Sequence, residues 1–246
     1  MARLGFKTGW MKRQPWFWPT KLFLKRISGK ELWLKPEVQI PDVRESDGWN
    51  YVPELLSKES IVYSMGVGDV INFDLDLIRD HGVTVHAFDP TPFAEEWIAS
   101  QSLPQEFVFH PWAAAGEDGS LRLYRRLSKR GRASKVMWTA EGGAGDAGDF
   151  IDAPAYTTKT IMDKLGHEDV DLLKIDVEGA EYDILESLQD VALPPKQLLV
   201  EYHHRFPGID KQRTAESIAA LQGLGYKIFG ISVYGREICF IHGRAM

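Results

Sequence analysis

From residue 60 onward, short apolar runs alternate with stretches whose apolar residues recur at helical spacing. The runs at 61–65, 83–88, 107–112, 171–177 and 197–202 read as strands, and the stretches at 70–81, 92–100, 160–165, 179–188 and 214–224 as helices. Gly82 and Gly225 supply helix stops. The helix at 179–188 gathers Ala180, Ile184, Leu185 and Leu188 on one face. Two further strand-like runs, 226–233 and 237–242, flank the turn Tyr234-Gly235 and predict a closing hairpin. This alternation implies a doubly wound α/β fold, a mostly parallel sheet covered on both faces, and the hairpin adds one antiparallel strand.

Two segments break the rhythm. Residues 117–155 hold a short strand signal at Leu121, Leu123 and Tyr124, a basic stretch at 125–135 and a Gly/Ala-rich stretch at 141–148. They read as a long surface insertion or mobile loop, a kind of segment that is usually functional or disordered. Residues 1–50 show no sustained period and predict no regular amphipathic helix. The chain thus divides into an arm, 1–50, and a main domain, 51–246.

Charge sharpens that division. The net charge of -6 excludes a general nucleic-acid binder, yet the first thirty residues carry eight basic side chains and no acid, leaving -14 on the rest. Five of the eight tryptophans (Trp10, Trp16, Trp18, Trp33 and Trp49) lie in the same arm. Cations interleaved with indoles suit a membrane headgroup region, an anionic polymer or a sugar; alternatively the tryptophans pack the arm onto the domain. Peripheral contact with a membrane or other anionic surface through residues 1–30 is therefore an expectation. No apolar run approaches a membrane span, no signal-peptide pattern is present, and Cys239 is the single cysteine, so the expected compartment is the cytoplasm.

The candidate chemistry begins at the first strand-to-helix turn, Ser64-Met65-Gly66-Val67-Gly68-Asp69. Gly66 and Gly68 allow a sharp turn and close approach of a ligand, at the carboxyl end of a strand where open α/β sheets bind ligands. The third glycine of a dinucleotide fingerprint is replaced by Ile71, which argues against pyrophosphate binding. Asp89, at the end of the second strand, stands at the spacing of an acid that binds ribose hydroxyls. An acid kept and a glycine lost fit a cofactor with a ribose and no phosphate.

The block Lys174-Ile175-Asp176-Val177-Glu178-Gly179-Ala180-Glu181 resembles the strongest signature of the FkbM-type methyltransferases, and Glu201-Tyr202-His203 resembles that family's segment at the end of the fifth strand. The resemblance spans residues 60–242. It implies a class I, Rossmann-like domain with a seven-stranded sheet whose last strand is antiparallel, and S-adenosyl-L-methionine as cofactor. It further implies that Gly66 and Gly68 cradle the methionine part, Asp89 holds the ribose, and Trp112 and Ala113 lie by the adenine. Asp176 and Glu178 line the catalytic mouth. Ser64 departs from the family pattern, where an acid leads the turn and helps hold the methionine end; Asp69 or Asp74 is a candidate substitute.

At the expected mouth, Asp176, Glu201 and His203 admit two catalytic readings. His203 acts as general base, oriented by Glu201 or Asp176; or the three bind a divalent metal that lowers the acceptor's pKa. A third possibility is that they only satisfy loop amides or bind substrate. Lys174 is expected to reach the surface. The resemblance implies O-methylation of a hydroxyl on a sugar, glycolipid or natural product. The rival functions are a non-catalytic binding scaffold on the same fold and an NAD-dependent oxidoreductase.

Overall fold

A computed structural model describes residues 14, 16–127, 133–139, 145–206 and 208–246. Its centre is a seven-stranded sheet built from β3 (Ile61–Met65), β4 (Thr84–Phe88), β5 (Phe107–His110), β10 (Leu172–Ile175), β11 (Gln197–Glu201), β12 (Tyr226–Ile231) and β13 (Glu237–His242). The spatial order is β12-β13-β11-β10-β3-β4-β5. The five strands from β11 to β5 pair in parallel, whereas β13 runs antiparallel to both β11 and β12. The doubly wound expectation with one antiparallel strand holds, and that strand is inserted inside the sheet rather than added at its rim.

Consecutive strand residues bury on opposite faces, as a pleated strand requires. Tyr63, Leu173, Leu198 and Phe240 face one apolar layer; Val62, Leu172, Leu199 and Cys239 face the other. The first layer is covered by α4 (Thr158–Leu165), α5 (Glu181–Ser187) and α6 (Lys211–Gly223) through Ile161, Ile184 and Ile218. The second is covered by α2 (Asn72–His81) and α3 (Pro92–Ala99) through Phe73, Leu77 and Ile98. Side chains fix the helix ends: the Thr91, Thr157 and Asp210 oxygens accept from backbone N–H groups of the first turns. Gly82 closes α2 in the left-handed region at φ 67°.

The second face is completed by the arm. Strands β1 (Arg44–Ser46) and β2 (Trp49–Tyr51) form a hairpin whose turn, Asp47-Gly48, has φ 46° and 88°, the two-residue geometry that matches strand twist. Trp49 and Tyr51 are buried in the second layer, and the Gln197 amide brackets the Val52 backbone with bonds of 2.7 and 3.1 Å. Upstream lies α1 (Phe17–Ile27), a helix that the sequence reading did not predict. Glu31, beyond α1, is buried and accepts from Arg205 at 2.6 and 2.8 Å and from Lys25 at 3.1 Å, with His204 at 3.0 Å. The tryptophans divide accordingly: Trp49 is core and Trp18 half-buried, while Trp16 and Trp33 are exposed. Trp10 and the basic residues Arg3, Lys7, Lys12 and Arg13 lie outside the described residues.

The expectation of an irregular insertion is overturned. Strands β7 (Gly119–Leu127), β8 (Ala133–Thr139) and β9 (Gly145–Tyr156) form an antiparallel sheet, joined in parallel by the short β6 (Ala113–Ala114). Backbone pairing to β7 holds the Gly- and Asp-rich β9 extended despite its weak strand propensity. Residues 128–132 and 140–144 of the basic and Gly/Ala-rich stretches lie outside the described residues.

Candidate active site

A cleft of about 650 Å³ opens at the carboxyl ends of β3, β4, β10 and β11. Its floor is the turn after β3, where Gly66 and Gly68 take φ 83° and 55°. At Gly66 a Cβ would lie 1.7 Å from the Asp176 carbonyl oxygen, so this glycine lets the exits of β3 and β10 pass in contact. Asp89 organises the same turn. One of its oxygens accepts from the N–H groups of Val67 (3.1 Å) and Gly68 (2.9 Å), the other from the Thr91 N–H and hydroxyl (2.9 and 2.5 Å). The expected ribose acid therefore also braces the glycine turn, and it lines the cleft.

One wall is apolar. Ala113 and Ala114 line it together with Leu121, Leu123 and Trp138 of the insertion. The Arg125 guanidinium stacks 4.5 Å from the Trp138 ring. Trp112 is not on this wall. It packs on His110 (4.8 Å) and Tyr156 (5.5 Å), after a tight turn in which its N–H donates to the His110 carbonyl at 2.8 Å, whereas Ala113 and Ala114 line the cleft. Ser64, expected from the sequence among the cofactor-binding residues, sits within β3 and is fully buried, and it is not on the cleft wall.

The opposite wall is charged. Asp176 and Glu201 lie on it, and the ligand atoms of Asp176, Glu201 and His203 all fall within 4.8 Å of one another. The structure thus brings together the three residues singled out in the sequence. Arg236 donates to Glu201 at 2.7 Å, and His203 Nε2 stands 3.8 Å from both Asp176 and Glu201. Burial, then the Asp176 charge, pushes the Glu201 carboxyl up to about 7 against the pull of Arg236 and His203. His203 behaves differently. Burial lowers its pKa, but the close carboxylate of Glu181, with Glu201 and Asp176, outweighs it and raises it to about 9. Only 5% exposed and absent from the cleft wall, His203 lies behind the carboxylates.

Glu181 holds this corner together. Fully buried, it accepts from the N–H groups of Gly179 (2.9 Å) and His203 (2.8 Å), tying the loop after β10 to the loop after β11. Glu178, on the cleft wall, takes φ 52°, a strained value for a residue with a Cβ. Lys174 does not reach the surface as expected. It is 5% exposed, lines the cleft, and places its ammonium 5.2 Å over the Trp49 ring. The strand parity that buries Leu172 also turns Lys174 inward, toward Ser64 on the paired strand. Below them Asp74 is fully buried; burial raises its pKa and the Lys174 charge opposes that. Asp74 is not on the cleft wall, whereas Asp69 is.

A glycine turn after the first parallel strand, an acid after the second, and a final antiparallel strand inserted inside the sheet define a Rossmann-like domain of the class I methyltransferase kind. The sequence profile of the "Methyltransferase FkbM domain" family matches residues 52–228. The chain belongs to that family. It is 28% identical over 178 residues to the human "Probable methyltransferase-like protein 24", an alignment covering 70% of this chain and 40% of that protein, so the chain spans well under half of that relative. It is 33% identical over 129 residues to "AMB antimetabolite synthetase AmbE" of Pseudomonas aeruginosa, covering 47% of this chain and 6% of that one. Among solved structures it resembles the Methanococcus jannaschii fibrillarin pre-rRNA processing protein, with TM-score 0.46 and 12% identity over 82% of this chain and 70% of that chain, a likeness too loose to weigh in the assignment.

Proposed function

We propose that this chain is an S-adenosyl-L-methionine-dependent O-methyltransferase acting on a hydroxyl of a sugar, glycolipid or natural product, with Glu201 as the base. The observation that carries the reading is the asymmetry of the cleft: an apolar wall and glycine turn on one side, carboxylates on the other. The residues present fit the cofactor. Apolar Ala113, Ala114 and Leu123 suit an adenine, Asp89 offers remaining lone pairs to ribose hydroxyls, and a lip rich in carboxylates suits a cationic sulfonium. When bound, S-adenosyl-L-methionine supplies an electrophilic methyl group for in-line transfer to the acceptor oxygen.

The chain's own part is positioning and proton management. Glu201, with a pKa near operating pH, accepts the acceptor hydroxyl proton. Arg236 fixes the carboxylate in place, and the imidazolium of His203 stabilises its ionised form. Asp176 shares that corner. The insertion sheet excludes water from the apolar half. Glu201 rather than His203 is the proposed base, because Glu201 lines the cleft with a pKa of about 7, whereas His203 lies behind the wall with a pKa raised to about 9.

Isothermal titration with S-adenosyl-L-methionine, S-adenosylhomocysteine and NAD in parallel tests the cofactor. Binding of the first two without the third supports the reading. Binding of NAD alone would replace it with a redox function, and binding of none would leave a non-catalytic scaffold. A second reading rests on the Asp176, Glu201 and His203 trio as divalent-cation ligands. Titration with Mg²⁺ and Mn²⁺ decides it: heat that vanishes in Glu201→Gln favours the cation, and no heat leaves Glu201 as base.

A further inference from the structure

We propose that the outer face of α1 is a docking surface for an anionic lipid bilayer. The helix has no buried residue. Trp16, Phe23 and Ile27 recur at a spacing that lines one face of an α-helix, with Leu24 beside them. All four are more than half exposed, as is Trp33 at 63%, whose ring meets Phe23 at 6.0 Å. Five large apolar side chains on one exposed surface mark an interaction site rather than scattered surface hydrophobes.

Charge selects the occupant. Lys21, Lys25 and Arg26 belong to the same helix, and the first thirty residues hold eight basic side chains and no acid, on a chain otherwise strongly negative. An exposed aromatic and aliphatic face on a segment this basic matches a bilayer interface with anionic headgroups, where apolar burial and attraction add. The tryptophans suit the headgroup level, being apolar in body and polar at one edge.

The position of the helix gives docking a consequence. Its inner side rests on the β12–β13 turn: Trp18 meets Tyr234 at 4.8 Å, and Leu22 sits so close over Gly235 that a Cβ there would lie 2.7 Å away. The next residue, Arg236, holds Glu201. The docking face therefore lies at the same end of the sheet as the cleft. Docking itself does not depend on the proposed reaction.

Co-sedimentation of the full chain with vesicles tests the proposal. One set is phosphatidylcholine alone, the other phosphatidylcholine and phosphatidylglycerol in equal parts. The full chain is expected to bind the mixed vesicles, less so at high salt, and to bind phosphatidylcholine at least tenfold more weakly. Phe23→Glu with Ile27→Glu, both at exposed positions, is expected to lower binding to mixed vesicles at least tenfold while thermal melting stays unchanged. Three results would overturn the proposal: no binding to mixed vesicles, a double variant that binds as well as the parent, or a dimer in light scattering that the double variant dissolves, which would assign the face to a second copy.

Discussion

Glu201 and His203 sit two positions apart and both pKa values are shifted upward, which favours the neutral carboxyl of Glu201 and the cation of His203. Glu201 is pushed toward neutrality, to about 7, by burial and by Asp176. In the proposed mechanism kcat/KM for the acceptor rises with pH through about 7, and Glu201→Gln lowers kcat by about 10²-fold or more while S-adenosylhomocysteine affinity holds. A flat profile or an active Gln variant would remove Glu201 as base. His203 also carries a stability signature. Its pKa is raised in the folded state to about 9 from 6.5, so its contribution is complete below about 6.5 and is lost as pH rises through about 9. Urea unfolding across that window should show the loss, and His203→Gln should flatten it. At this scale the sequence exposed Gly66, Gly68, Asp89, Ala113, Asp176 and Glu201 as residues of one cleft. Lys174, expected at the surface, is buried on the cleft wall, because which side of a strand faces the cleft depends on strand register, which the pattern alone does not contain.

Among elements, the insertion changes the picture most. Leu121 and Leu123 alternate with polar neighbours, a strand signal that was legible, but β9 is rich in Gly, Asp and Pro and becomes a strand only by pairing with β7. Trp138, buried against the cleft beside Leu123, is expected to matter for binding rather than for the central sheet. Trp138→Ala should weaken S-adenosylhomocysteine by about tenfold, or 1.4 kcal/mol, in calorimetry, with the far-ultraviolet spectrum kept. Unchanged affinity would show that the insertion does not cover the cofactor. Helix α1 stayed hidden for a similar reason: Thr20 interrupts its apolar stripe and Pro19 falls in its first turn, where proline is tolerated but weakens the pattern. The Asp47-Gly48 turn is a dipeptide favoured in two-residue hairpins, a signal that the absence of any sustained period over residues 1–50 masked.

For the whole molecule, Glu31 is the bolt between arm and domain. Burial alone would raise its pKa, but His204, Arg205 and Lys25 outweigh that and hold it at about 2. Its depressed value means that the pair stabilises fully above about 4.5 and fails as pH falls through about 2. Glu31→Gln leaves Arg205 and Lys25 without their counter-charge, and about 3–5 kcal/mol of stability should be lost. Chemical denaturation reads the loss, and limited proteolysis should show cuts near α1 first.

The inserted strand β13 reaches beyond the folded state. It follows every other strand of the central sheet in the sequence, yet it supplies the partner edge of both β11 and β12. While a ribosome is still making this polypeptide, those two strands have no shared partner, and their open edges are templates for pairing with other nascent chains. Cooperative closure of the sheet must wait for Glu237–His242 to emerge, so translation arrested before that point should yield a species that chaperones hold and proteases clear.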